Sequence, residues 1–163
     1  MQALGRLSRG PGRVYFTGGA TAVLKGWRDA TVDVDLKLDP EPAGVFEAIA
    51  RLKDELNLNV ELASPDHFIP DPPGSAERAE FIGREGAVEF YHYDFYAQAL
   101  AKIERGHARD LGDVEAMLER GYVERRQLEQ LFDAIEPQLL RFPGIDPAAF
   151  RAKVRRVLDR GSG

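Results

Sequence analysis

The run VYFTGGATAVLKGWRDATVDVDLKL, from Val14 to Leu38, decides how this chain is read. Val14-Tyr15-Phe16-Thr17 suits a short strand, Gly18-Gly19 a turn, and Ala20 to Leu24 a helical turn or two ending near Gly26. A second strand is expected next, in which Val32, Val34 and Leu36 alternate with Asp33 and Asp35. A period of two sends the apolar side chains to one face of a sheet and both carboxylates to the other. No lysine lies between the two aspartates, so they repel each other unless a cation bridges them. Hard oxygen donors of this kind suit Mg²⁺, above all where a phosphate is a further ligand. Two glycines at a strand-to-helix turn let the backbone approach a ligand, and the N–H groups of a helix start attract an anion. The stretch therefore predicts a phosphate cradle at Gly18-Gly19 beside a metal site at Asp33 and Asp35.

Outward from this stretch, Gln2–Leu7 suits a short helix and Asp39-Pro40-Glu41-Pro42 should end the second strand and start another helix. Val45, Ile49, Leu52 and Leu56 form one apolar stripe, as a sheet-packing helix requires. Val60-Glu61-Leu62 reads as a short strand. If it lies beside the aspartate strand, Glu61 shares their face. Four prolines between Ser64 and Ser75 predict an irregular surface loop, and Glu80 to Tyr91 reads as a β-hairpin. Aromatics crowd at Phe90, Tyr91, Tyr93, Phe95 and Tyr96. Most should be core, while one exposed ring could stack on a base. Asp94 should cap a helix that breaks at Gly106, a second should close at Gly121, and two more follow, the last opened by Asp146-Pro147. Gly161-Ser162-Gly163 should fray.

Composition narrows the function classes. With 163 residues and 44% hydrophobic content the chain can bury a real core, and the absence of cysteine excludes disulfides and thiolate metal sites. His67, His92 and His107 are scattered, without zinc-site spacing. No secretory leader pattern and no apolar run of bilayer length occurs, so a cytoplasmic protein without membrane contact is expected. Residues 1–100 hold 10 Lys/Arg against 16 Asp/Glu, and residues 101–163 hold 12 against 11. The acidic half thus contains the proposed metal site. A nucleic-acid partner would have to use Arg120, Arg125, Arg126, Arg151, Lys153, Arg155, Arg156 and Arg160 of the second half.

The Gly-Gly pair, thirteen intervening residues and Asp33-x-Asp35 resemble the pattern of the polymerase-β-type nucleotidyltransferase superfamily. Arg28-x-x-Thr31-x-Asp33-x-Asp35 is similar to the branch that contains abortive-infection and toxin–antitoxin nucleotidyltransferases. A second segment resembles the same branch: Lys102, a spacer, then Arg109-Asp110-x-x-Asp113. The likeness covers most of residues 14–118. It implies an α/β (α+β) fold with a small mixed, mostly antiparallel sheet, helices on one face and a C-terminal helical bundle. Residues 1–93 would form the core and residues 94–163 a helical region completing the cleft.

The implied activity is metal-dependent transfer of a nucleotidyl group from an NTP to an acceptor hydroxyl, with Mg²⁺ or Mn²⁺ as cofactor. Carried over by position, Asp33 and Asp35 would be metal ligands and catalytic. Glu61 would be the third carboxylate, with Asp66 as the alternative. Gly18, Gly19, Arg28 and Thr31 would surround the nucleotide. Lys102 would meet the triphosphate, and Arg109, Asp110 and Asp113 would shape the site, with Arg105 or Arg109 in the basic role. The same resemblance implies tRNA or a protein side chain as acceptor and an antitoxin as partner. The alternative is a catalytically inactive binding module that keeps the fold.

Overall fold

A computed structural model describes residues 1–160 of the chain; the last three glycine and serine positions, expected to fray, lie outside the described residues. The fold is mixed α/β, and two compact units divide it. The first comprises residues 1–64 and 79–93, the second residues 65–78 and those from Asp94 onward.

In the first unit the order is α1 (Gln2–Leu7), β1 (Gly12–Thr17), α2 (Gly18–Leu24), β2 (Asp33–Leu38), α3 (Val45–Leu56), β3 (Asn59–Leu62), β4 (Glu80–Glu85) and β5 (Val88–His92). The strands lie in the order β3-β2-β1-β5-β4. β1 pairs antiparallel with β2 and parallel with β5; β2 pairs parallel with β3; β4 and β5 form the expected hairpin. Two of the four neighbour pairs are parallel, so the sheet is less antiparallel than the sequence suggests. The β2–β3 pair is parallel because α3 carries the chain back across the sheet between the two strands, whereas α2 joins the antiparallel pair β1–β2.

Period-two alternation then sorts the side chains. Val14 and Phe16 of β1, Leu36 of β2 and Val88 and Phe90 of β5 are buried on one face, with Leu4 of α1, Ala20 of α2 and Val45 and Ala48 of α3 packed against them. Val34, Leu38, Val60, Ile82, Ile49 and Leu52 surround this cluster. Three expectations need correction. Val32 precedes β2 and is exposed, because the strand begins only at Asp33. The helix after Pro42 starts at Val45, where Gly44 takes a left-handed conformation at its N-terminus. Leu56, at the helix's last position, is exposed and not part of the buried stripe.

The second unit is helical: α4 (Ser75–Arg78), α5 (Phe95–Arg105), α6 (Ala108–Glu119), α7 (Arg125–Ile135) and α8 (Pro147–Asp159), with 3₁₀ turns at Pro65–His67 and Glu136–Arg141. Every residue of α5 from Phe95 to Ile103 is buried, as befits a helix surrounded on all sides. Gly106 ends it in the left-handed region at φ +72°. Among the described residues no helix is long and apolar enough to cross a membrane.

Asp94 caps α5. Its carboxylate accepts from the backbone N–H groups of Tyr96 at 3.2 Å and Ala97 at 3.3 Å. The same two oxygens accept from Arg78 Nε at 3.0 Å and Nη2 at 2.7 Å, a bidentate ion pair around a carboxylate that is almost fully buried. Replacing Asp94 by Ala should therefore destabilise the protein by about 3–5 kcal/mol, the usual loss when one partner of a buried pair is removed. Asp94→Asn keeps one acceptor for the cap and should lose less. Urea unfolding of both variants measures the difference.

Candidate active site on the open sheet face

With α1, α2 and α3 all on one side, the other face of the sheet presents the polar residues of β2 and β3. Register fixes their arrangement: Asp33 lies beside Asn59, and Asp35 lies between Thr17 of β1 and Glu61 of β3. Parallel neighbours share a face, so Asp33, Asp35, Asn59 and Glu61 make a block of four. The Asn59 amide nitrogen donates to Asp33 Oδ1 at 3.2 Å and to Glu61 Oε1 at 2.9 Å. One neutral donor thus holds two carboxylates together. Sequence reasoning passed over Asn59. The available signal was its place two residues before Glu61, on the same strand face.

The glycine pair opens α2 directly below this block. Gly18 has φ +60°, and a Cβ there would lie 2.9 Å from Asp35 Oδ2. A Cβ on Gly19 would lie 2.6 Å from Thr31 Oγ1 and 3.5 Å from an Arg28 guanidinium nitrogen. Neither position tolerates a side chain: the first by backbone conformation and contact, the second by contact. Thr31 Oγ1 also accepts from the Asp33 N–H at 3.2 Å and donates to the Asp33 carbonyl at 2.9 Å. Gly18, Gly19, Arg28, Thr31, Asp33, Asp35 and Glu61 are thereby assembled within one unit.

Two carboxylates on one strand face fit a hard divalent cation, which is commonly held by one or two carboxylates plus phosphate and water. Glu61 is tied to Asp33 through Asn59. Among the described residues no three acidic or histidine side chains gather into a metal-binding group, so the fit rests on Asp33 and Asp35. Asp66 lies in the 3₁₀ turn of the second unit.

The remaining expected site residues lie in the second unit, on α5 and α6. Lys102 is 4% exposed, and its ammonium donates to Asp113 Oδ2 at 2.6 Å and Asp110 Oδ1 at 3.2 Å. Arg105 adds a bond to Asp110 at 2.8 Å, while Arg109 is exposed. Two carboxylates around one buried lysine join α5 to α6.

A further buried polar chain underlies α2. Thr21 Oγ1 donates to the Phe16 carbonyl at 3.1 Å, so the contact of 3.1 Å to His92 Nδ1 is one in which the ring donates. Burial, and then the positive charge of Lys25, push the His92 pKa down to about 4. The ring is neutral near pH 7.

The chain belongs to a family of nucleotidyltransferases. The model of that family, described as nucleotidyltransferase of unknown function (DUF6036), matches residues 9–141. The match takes in both the glycine–aspartate block and the Lys102–Asp113 segment. No curated protein and no solved structure matches the chain. Family membership supports the wider of the two resemblances drawn from the sequence.

Two outcomes follow from His92 and Lys102. A histidine whose folded pKa lies below its ordinary 6.5 leaves the unfolded chain holding more protons between pH 6.5 and 4, so its stabilisation is complete above that window and is lost as pH falls through it. Wild type should lose about 3 kcal/mol more than His92→Gln between pH 7 and pH 4, read from urea unfolding at each pH. Lys102→Ala leaves two buried carboxylates facing each other and should destabilise by about 3–5 kcal/mol, seen as a large drop in Tm.

Proposed function

We propose that the protein transfers a nucleotidyl group from an NTP to an acceptor hydroxyl at the Asp33–Asp35 face. The observation that carries this reading is the closeness of Asp35 to Gly18, where a Cβ would lie 2.9 Å from the carboxylate, which puts a carboxylate pair at a glycine turn in a chain of nucleotidyltransferase family. In the reaction the acceptor oxygen forms a bond to the α-phosphorus as the bond to the bridging oxygen breaks and pyrophosphate leaves. The hydroxyl proton passes to a carboxylate of the face or to water. Such chemistry asks a protein for positioning and charge neutralisation.

Asp33 and Asp35 would hold Mg²⁺ or Mn²⁺. When bound, the ion neutralises phosphate charge and acidifies the attacking hydroxyl. Asn59 and Thr31 fix the orientation of the Asp33 side chain and backbone. Gly18 and Gly19 let Asp35 and Thr31 pack against the turn, with the Arg28 guanidinium also beside Gly19 as a cation for phosphate. Glu61, beside Asp35, adds a third negative group to the face. Lys102, Asp110 and Asp113 act in this reading by holding α5 and α6 together. A toxin of a toxin–antitoxin pair would direct the same chemistry at tRNA or a protein side chain; growth arrest on expression that requires Asp33 would be its measurement.

The test is incubation of the protein with each α-labelled NTP, Mg²⁺ and total RNA or lysate, following label transfer and pyrophosphate release. Asp33→Asn and Asp35→Asn should each lower transfer by about 100-fold or more with Tm within a few degrees of wild type. An inactive binding module would instead bind NTP in a calorimeter and release no pyrophosphate.

A further inference from the structure

Asp33, Asp35 and Glu61 occupy the β2–β3 side of the open face. Across β1, β5 and β4 the same face carries a continuous run of rings. Phe81 of β4 meets Tyr91 of β5 edge-on with centroids 5.4 Å apart, Tyr91 stacks on Tyr15 of β1 at 5.3 Å, and Tyr15 meets Tyr93 edge-on at 6.2 Å. Cations accompany the rings. The Arg13 guanidinium is 5.9 Å from the Tyr91 centroid and the Lys37 ammonium 5.6 Å from that of Tyr93. Arg84 stands in register with Glu89, and both line a groove of about 300 Å³ together with Arg13.

Negative groups are sparse on this side. Glu89 belongs to it and accepts from Arg13 and Tyr91. Glu80 and Glu85 turn to the helical face, where Glu80 pairs with Lys25 of α2 and Glu85 lies against Gly5 of α1. Phe81 is 55% exposed on an edge strand, outside the core and therefore adding little to stability.

We infer that this half of the face binds single-stranded nucleic acid, with bases stacking on Phe81, Tyr91 and Tyr15 and phosphates met by Arg13, Arg84 and Lys37. Aromatic rings among cations suit any unpaired base together with its backbone. The rings occupy three adjacent strands spaced about 4.8 Å apart, a run longer than one base, so the surface fits an oligonucleotide better than a mononucleotide. A duplex hides the base faces that the rings would contact. Lys37 and Tyr15 follow Asp35 and Thr17 in register by one step on the same face. That the bound strand is the acceptor of the transfer rests on the function proposed above; binding itself does not.

Of the eight basic residues of the second unit that the sequence offers to RNA, four are engaged within it. Arg151 pairs with Asp133 and Glu136, Arg160 with Glu115, Lys153 with Glu104, and Arg125 donates to the Val157 carbonyl.

The test is fluorescence anisotropy of a labelled twelve-nucleotide RNA of mixed sequence with the whole protein, without NTP or divalent metal. Phe81→Ala should weaken binding about tenfold at unchanged Tm. Arg13→Gln with Arg84→Gln should reduce the slope of log affinity against log salt by about 1.4, two phosphate contacts on a single strand. Asp33→Asn should bind RNA at least as well as wild type, so failure of the transferase reading leaves this result standing. Arg155→Glu with Arg156→Glu should change affinity less than threefold. The inference is overturned if the RNA does not bind saturably, if a duplex or a mononucleotide binds equally well, or if only the Arg155–Arg156 variant loses affinity.

Discussion

The packing of α1, α2 and α3 on a single face of the sheet is the constraint from which the rest of the first unit follows. It demands Val14, Phe16, Leu36, Val88 and Phe90 on the inner side, and period-two geometry then assigns every intervening residue to the outer side without further choice. A sheet covered on both faces would need apolar residues at Asp33, Asp35 and Glu61. One-sided cover leaves those positions open to polar chemistry. Slipping β2 by one residue against β1 would bury both aspartates and expose Leu36, so the core itself holds the carboxylates in place.

The two units handle carboxylates in opposite ways. On α5 and α6 the buried Asp110 and Asp113 face Lys102, with Arg105 at the rim, and Asp94 faces Arg78. These charges are compensated within the protein, as burial requires. On β2 and β3, Asp33 and Glu61 are exposed and share a neutral amide. An amide orients a carboxylate without cancelling its charge. The cations of the same face stand farther along it, Lys37 at the far end of β2 and Arg13 and Arg84 on β1 and β4. Such separation is what a site for a metal-bound phosphate and an extended anion both need.

Local signals made much of this legible. The alternation of Asp33 and Asp35 with apolar residues gave the strand and its two faces, and Asp94, Gly106, Gly121 and Asp146 marked helix ends that the structure places there. The hydrophobic stripe gave α3 its buried side. What depended on pairing between distant strands was hidden. Asn59 acquires its role only when β3 lies parallel to β2 in register, and Tyr15, Tyr91 and Phe81 become a row only when β1, β5 and β4 are neighbours. The buried state of Lys102 was also invisible, since a charged segment at a helix break reads the same whether it faces solvent or its own acidic neighbours. His92 gave no signal because its partner, Thr21, lies 71 residues away.

The glycine pair shows why a packing reading and a functional one need not compete. Asp35 and Thr31 fill the space that side chains on Gly18 and Gly19 would take, so the glycines are already required by the protein itself. That requirement fixes the distance between the carboxylate and the turn more firmly than a vacant cradle would. Thr31 extends the constraint by clamping the Asp33 backbone from both its N–H and its carbonyl. Phosphoryl transfer gains most from groups that are already in place when the substrate arrives, and here glycine at both positions is what lets the carboxylate and the hydroxyl sit against the turn.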